Sequence, residues 1–146
     1  MNNSTMRCSM QDRGVINNRD YAAQIRDFSG LRWGTITPTD VDGCIDWHNR
    51  RWVLIELKRL GTELPLGQRL CLERLCDDLQ QVKPTLFIIA EHDDIPPGDI
   101  DTANAIVVKY RFEGKWHPLK QPWTVKAFID RFLGEGSTND LSLIHI

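Results

Sequence analysis

An α/β fold is what this chain predicts, and three observations predict it. Segments with a period of two, the mark of a strand, alternate with segments whose apolar residues recur at helical spacing. One continuous apolar run, "PTLFIIAEH" (residues 84–92), has the length and flanks of a fully buried strand. The resulting order is helix, strand, strand, helix, strand, hairpin, helix, with no internal repeat.

The elements follow in turn. Residues 1–16 are polar and read as a disordered tail; residues 17–134 form one domain. In "NNRDYAAQIRDFSG" Asn18 is an N-cap, Tyr21, Ile25 and Phe28 share a helical face, and Gly30 ends the helix. The second half of "GTITPTDVDGCIDW" alternates, with Val41 and Ile45 on one side and Asp40, Asp42, Cys44 and Asp46 on the other. "HNRR" is a turn, and "WVLIELK" is the return strand of a hairpin. Its Val53, Ile55 and Leu57 share one face, and Trp52, Leu54, Glu56 and Lys58 share the other.

"GTELPLGQRLCLERLCDDLQQ" reads as a helix whose apolar stripe is Leu72, Leu75, Cys76 and Leu79, with Gln68 one turn earlier on that stripe. After the buried strand comes an acidic loop, "DDIPPGDIDTAN". "AIVVKYRFEGKWHPL" is a hairpin that turns at Glu113-Gly114. "TVKAFIDRFL" is a helix capped by Thr124, with Val125, Phe128, Ile129 and Phe132 as its buried face. Residues 135–146 form a tail. Its last six, "LSLIHI", match the translation of a transposon adapter used in sequencing libraries, so they are set outside the fold.

Composition narrows the function classes. A net charge of −2 excludes a molecule that is basic throughout, though not a local basic patch. No apolar run reaches membrane-spanning length, and the N-terminus has no secretory h-region. Cys8, Cys44, Cys71 and Cys76 include no CxxC pair, which predicts free thiols in a reducing cytoplasm.

The sharpest feature is Glu56-x-Lys58 inside an apolar strand. The tripeptide alone says little, because Glu113-Gly114-Lys115 repeats it at a hairpin tip. Context separates the two copies. Glu56 and Lys58 point to one face, about 7 Å apart along the strand. The preceding strand brings Asp40, Asp42 and Asp46 to a face that the hairpin can superpose on theirs. Facing carboxylates are costly without a cation between them. Mg²⁺ resolves such a conflict, since it takes one or two carboxylates and keeps water and phosphate as its other ligands.

Taken together, these residues resemble the PD-(D/E)XK nuclease superfamily, and most of all its virus-type replication-repair branch. The run "ELKRLGTELPLGQRLCLERL" places Glu56, Lys58, Gly61, Leu64, Gln68, Leu72 and Leu75 where that pattern expects them. The resemblance covers residues 18–92. It departs from the pattern in three places: Val41-Asp42 replaces Pro-Asp, Leu72 replaces a Tyr of some branches, and the first helix offers Asp20 and Asp27 where many members use Glu. The resemblance implies a restriction-endonuclease-like αβββαβ core with a mixed central sheet flanked by helices, followed here by the C-terminal hairpin and helix.

It also implies a magnesium-dependent hydrolase that cuts DNA phosphodiester bonds, from a bacterial or phage setting. Asp42 and Glu56 would hold Mg²⁺ or Mn²⁺ with the Leu57 backbone carbonyl, and Asp40 competes with Asp42 for that role. Lys58 would position the attacking water, and Gln68 would orient Lys58 or a phosphate. DNA contact is expected from Arg50 and Arg51 on the hairpin turn, beside Lys58 and Arg59, and from Lys109, Arg111 and Lys115. Tyr110, Phe112, Trp116 and Trp123 either stack on exposed bases or pack on the core. His48, His92 and His117 read as surface residues, and the acidic loop from Glu91 to Asp101 is expected away from the substrate. Many enzymes of this fold are dimers, so a homodimer is among the expected states. Two alternatives stay open: an inactive nuclease-fold protein that binds nucleic acid or a protein partner, and a plain interaction module.

Overall fold

The structure, a computed structural model, describes Asp20 and residues 27–134. The chain divides into two compact units, Met1–Pro38 and Thr39–Ile146. That boundary falls inside the stretch the sequence groups as one domain. Most of the expected first helix, and both tails, lie outside the described residues; Asp20 is helical and exposed. In the first unit a turn closes Leu31 N–H on Phe28 C=O at 2.8 Å, and Trp33 and Ile36 exchange two backbone hydrogen bonds of 3.0 Å. Asp27 accepts the Ser29 N–H and hydroxyl at 3.0 and 2.6 Å, so it stabilises this turn.

The second unit is a five-stranded mixed sheet with a helix on each face. Its elements are β1 (Gly43–Trp47), β2 (Arg51–Arg59), α1 (Leu66–Gln80), β3 (Thr85–His92), β4 (Ile106–Phe112), β5 (Lys115–Pro118) and α2 (Val125–Leu133). The strands lie in the order β1-β2-β3-β4-β5. Only β2 and β3 are parallel, and a parallel pair needs a long crossover, which α1 supplies. Among the described residues the hairpin β1–β2 alone precedes α1, one strand fewer than the expected αβββαβ order has there.

The β1–β2 hairpin pairs Gly43 with Ile55 and Trp47 with Arg51. His48 and Asn49 take left-handed φ of 51° and 58°, and Arg50 N–H closes on Trp47 C=O at 2.8 Å. Asp46 accepts the Asn49 N–H at 2.9 Å, so this acid belongs to the turn. The β4–β5 hairpin turns at Glu113 and Gly114, both at positive φ, as the sequence predicts.

Period-two alternation sends the β2 side chains to two different cores. Val53 and Ile55 join Leu86, Ile88, Tyr110 and Phe112 beneath α2, whose Val125, Phe128, Ile129 and Phe132 are all buried. The Thr124 hydroxyl accepts the Ala127 N–H at 3.2 Å and caps that helix as expected. Leu54 joins Phe87 and Ile89 beneath α1, which contributes Leu72 and Cys76. Leu75 is a correction: it is 41% exposed, because the buried line runs Leu72, Cys76, Leu79. The aromatics of the C-terminal hairpin are core. Tyr110 is buried and stacks on His117 with centroids 4.9 Å apart, and Trp116 packs on the α1-side core.

Candidate active site

The β1–β2 register carries the site. Gly43 faces Ile55 in the last pair of the ladder, so Asp42 comes opposite Glu56 one step beyond it. There the Asp42 carboxylate replaces a backbone acceptor: its Oδ2 takes the Leu57 N–H at 2.7 Å. In return the Asp42 N–H approaches Glu56 Oε2 at 3.3 Å. The N–H and C=O of one strand residue point to the same edge. The Leu57 carbonyl therefore faces the edge that Asp42 occupies, past the end of the ladder.

The following loop and helix complete the arrangement. Gly61, at φ 78°, takes a backbone conformation that a side chain would strain. That turn brings the Thr62 carbonyl back to accept Lys58 Nζ at 2.5 Å. The helix α1 then starts after Pro65, and Gln68 lies one turn before Leu72 on the buried line. From there its Nε2 donates to Glu56 Oε1. Three elements thus converge on one carboxylate, and Lys58 lies on the same face of β2.

Burial sets the electrostatics. Glu56 is 4% exposed, one of two buried polar residues among those described. Desolvation first, and then the charge of Asp42, push its carboxyl from 4.5 up to about 7; exposed Asp40 adds to the same effect. Lys58 faces Glu91 Oε2 at 3.5 Å. Glu91 opens the acidic stretch, which therefore begins beside Lys58. Among the described residues no group of three or more His, Cys, Asp or Glu side chains is placed to hold a metal. The candidate donor set is two carboxylates and a carbonyl.

The expected DNA-contact residues disperse. The hairpin turn lies at the opposite end of β2 from Lys58, so Arg50 and Arg51 are not beside Lys58 and Arg59. Arg51 instead donates to the Phe132 carbonyl and sits 5.3 Å over the Phe132 ring, tying α2 to the sheet. Arg111 makes a bidentate pair with Asp77 of α1 at 2.8 and 2.7 Å. Arg59 and Lys115 are exposed at strand ends. Lys109 alone of this group reaches the α1 face near Lys58, where it lies 4.6 Å over the Trp116 ring.

Arg69, which the sequence reading passed over, also lines that space. Its signal was available: it follows Gln68 in the first turn of a helix already docked on the sheet. No family model matches the chain, and no curated protein or solved structure matches it.

Proposed function

We propose that the chain is a metal-dependent nuclease that hydrolyses DNA phosphodiester bonds, with Asp42, Glu56, Lys58 and Gln68 as its working residues. One observation carries this reading: Asp42 and Gln68, from different elements, meet on the buried carboxylate of Glu56. A buried carboxylate with an exposed one beside it is stable in its charged form when a cation lies between them. Mg²⁺ or Mn²⁺ fits this donor chemistry, held by Asp42 and Glu56, with the Leu57 carbonyl on the same edge and Asp40 close by. Bound there, the metal supplies an acidified water and a polarised phosphate.

The chain's own residues fix everything around that chemistry. Gln68 grips one oxygen of Glu56 and the Leu57 N–H grips one oxygen of Asp42, so neither carboxylate swings free. Leu54, Leu72 and Ile89 keep water from the inner side of Glu56, which strengthens every charge interaction there. Lys58 places its ammonium on the same face, where it offsets charge that gathers on phosphoryl oxygens. To do so it exchanges Glu91 for the phosphate.

The test is cleavage of plasmid, branched and single-stranded DNA with Mg²⁺ or Mn²⁺. Wild type is expected to cut at least one of them, and Glu56→Ala to lose at least about 10²-fold. Equal, background-level cleavage by both proteins on all three substrates sinks the reading. A second reading draws support from the Lys58–Glu91 pair and the small donor set: a nuclease fold that binds nucleic acid or a protein partner without cutting. Magnesium calorimetry separates the two, because the nuclease binds Mg²⁺ and Asp42→Asn weakens that binding. No helix among the described residues is long and apolar enough to cross a membrane.

A further inference from the structure

Beside Glu56, on the same face of the sheet, lies a cavity of about 250 Å³ lined by Lys58, Glu63, Leu64, Arg69, Ile89 and Lys109, among others. The sheet register places it. Ile89 on β3 is the partner of Glu56, and Lys109 on β4 is the partner of Ile89. Neighbouring strands are about 4.8 Å apart, so Lys109 stands roughly 10 Å from Glu56 across the sheet. From the helix, Arg69 follows the residue that grips Glu56.

The cavity collects three cations against one carboxylate, Glu63. Like charges repel across such a space unless an anion lies between them. Lys58 has Glu91 at 3.5 Å and Lys109 has the Trp116 ring at 4.6 Å. Arg69 is less satisfied. Its Nε is sealed from solvent and has no hydrogen-bond partner among the described residues. The Glu73 carboxylate oxygen stands off at 3.6 Å and already accepts the Trp116 Nε1–H at 2.7 Å. A buried donor without an acceptor is costly, and guanidinium is the side chain best matched to phosphate.

We propose that Arg69 and Lys109 bind a backbone phosphate of the nucleic-acid strand, next to the phosphate that is cut at Glu56 and faced by Lys58. This deepens the nuclease reading and rests on it for the second phosphate, though not for the affinity of the pocket itself. The size agrees. At about 250 Å³ the cavity falls just below the range of ~300–1,000 Å³ that engulfs a whole drug-sized ligand, so it takes a phosphate with its sugar. The other large cavity, about 390 Å³, is lined by Glu91, Asp93, Asp94 and Asp101 and repels an anion. The bound strand therefore runs from Glu56 toward β4.

Fluorescence anisotropy of a labelled oligothymidylate in EDTA reads the pocket without cleavage. Arg69→Gln and Lys109→Gln are each expected to weaken binding about tenfold and to lower the salt slope by about one. Lys126→Gln, whose ammonium pairs with Asp130 at 2.5 Å, is the control that leaves both unchanged. Arg69→Lys, which keeps the charge, restores part of the binding. Wild-type affinity and salt slope in both Gln variants overturn the proposal, even if the wild type cuts DNA with Mg²⁺, and so does a wild type that binds no oligothymidylate. Weakened binding in both variants of a protein that never cuts sustains the pocket and sinks the nuclease reading instead.

Discussion

The two faces of the sheet are built on opposite terms. Beneath α2 the buried positions of β2, β3 and β4 are hydrophobic, with Arg51 tied to Phe132 at the edge, and the helix answers with four buried residues. Beneath α1 the apolar core stops halfway along β2, at Leu54, and the rest of that face carries Glu56 and Lys58. One face holds the fold together. The other gives up packing for a desolvated carboxylate with an acid beside it. Such a position is expected where function, not stability, chose the residue.

Substitutions on the two faces should therefore differ in sign. The largest loss is expected for Phe128→Ala, at about 3–5 kcal/mol from lost burial and the cavity left behind. Chemical denaturation measures it, and a loss under 1 kcal/mol would show that α2 does not seal that core. Glu56 runs the other way. Its folded pKa of about 7 lies above the ordinary 4.5, so the folded state binds the proton more tightly. The stability that Glu56 contributes is then greatest below pH 4.5, declines as pH rises through 7, and levels off above it. The decline amounts to about 3 kcal/mol, and Glu56→Gln should remove it, leaving a variant more stable than wild type at pH 8 and equal to it at pH 4. Melting curves at both pH values decide this; a wild type that gains stability between them breaks the contrast. Mg²⁺ should restore the wild type at pH 8 and leave Glu56→Gln unmoved. The smallest effect belongs to Leu75→Ala, about 0.5 kcal/mol or less by denaturation, because that side chain is largely outside the core.

Local periodicity made part of the site legible. Strand alternation put Glu56 and Lys58 on one face and helical spacing put Gln68 on the line of Leu72, whereas Asp42 was singled out by the resemblance, with Asp40 competing, and only the β1–β2 register sets it opposite Glu56. Partners distant in the chain stayed hidden. Nothing near Arg51 announces the Phe132 carbonyl 81 residues away, and nothing near Arg111 announces Asp77, 34 residues back. A cation in a sequence has no direction until the tertiary fold supplies its partner, so the two basic groups read from the sequence each come apart, Arg51 going to Phe132 and Arg111 to Asp77. Leu75 misled for a local reason: Leu72, Leu75, Cys76 and Leu79 all fit a helical stripe, and only docking decides which edge of it is buried.

The end of the β1 ladder has a consequence for how much the hairpin can change. Asp42 finds Glu56 only because the loop between Trp47 and Arg51 has three residues. One residue more or fewer would slide β1 along β2, and a strand that slips by one exchanges its two faces. Asp42 would then lose its place opposite Glu56. The turn, far from the carboxylates and with no chemistry of its own, is the ruler that measures the site.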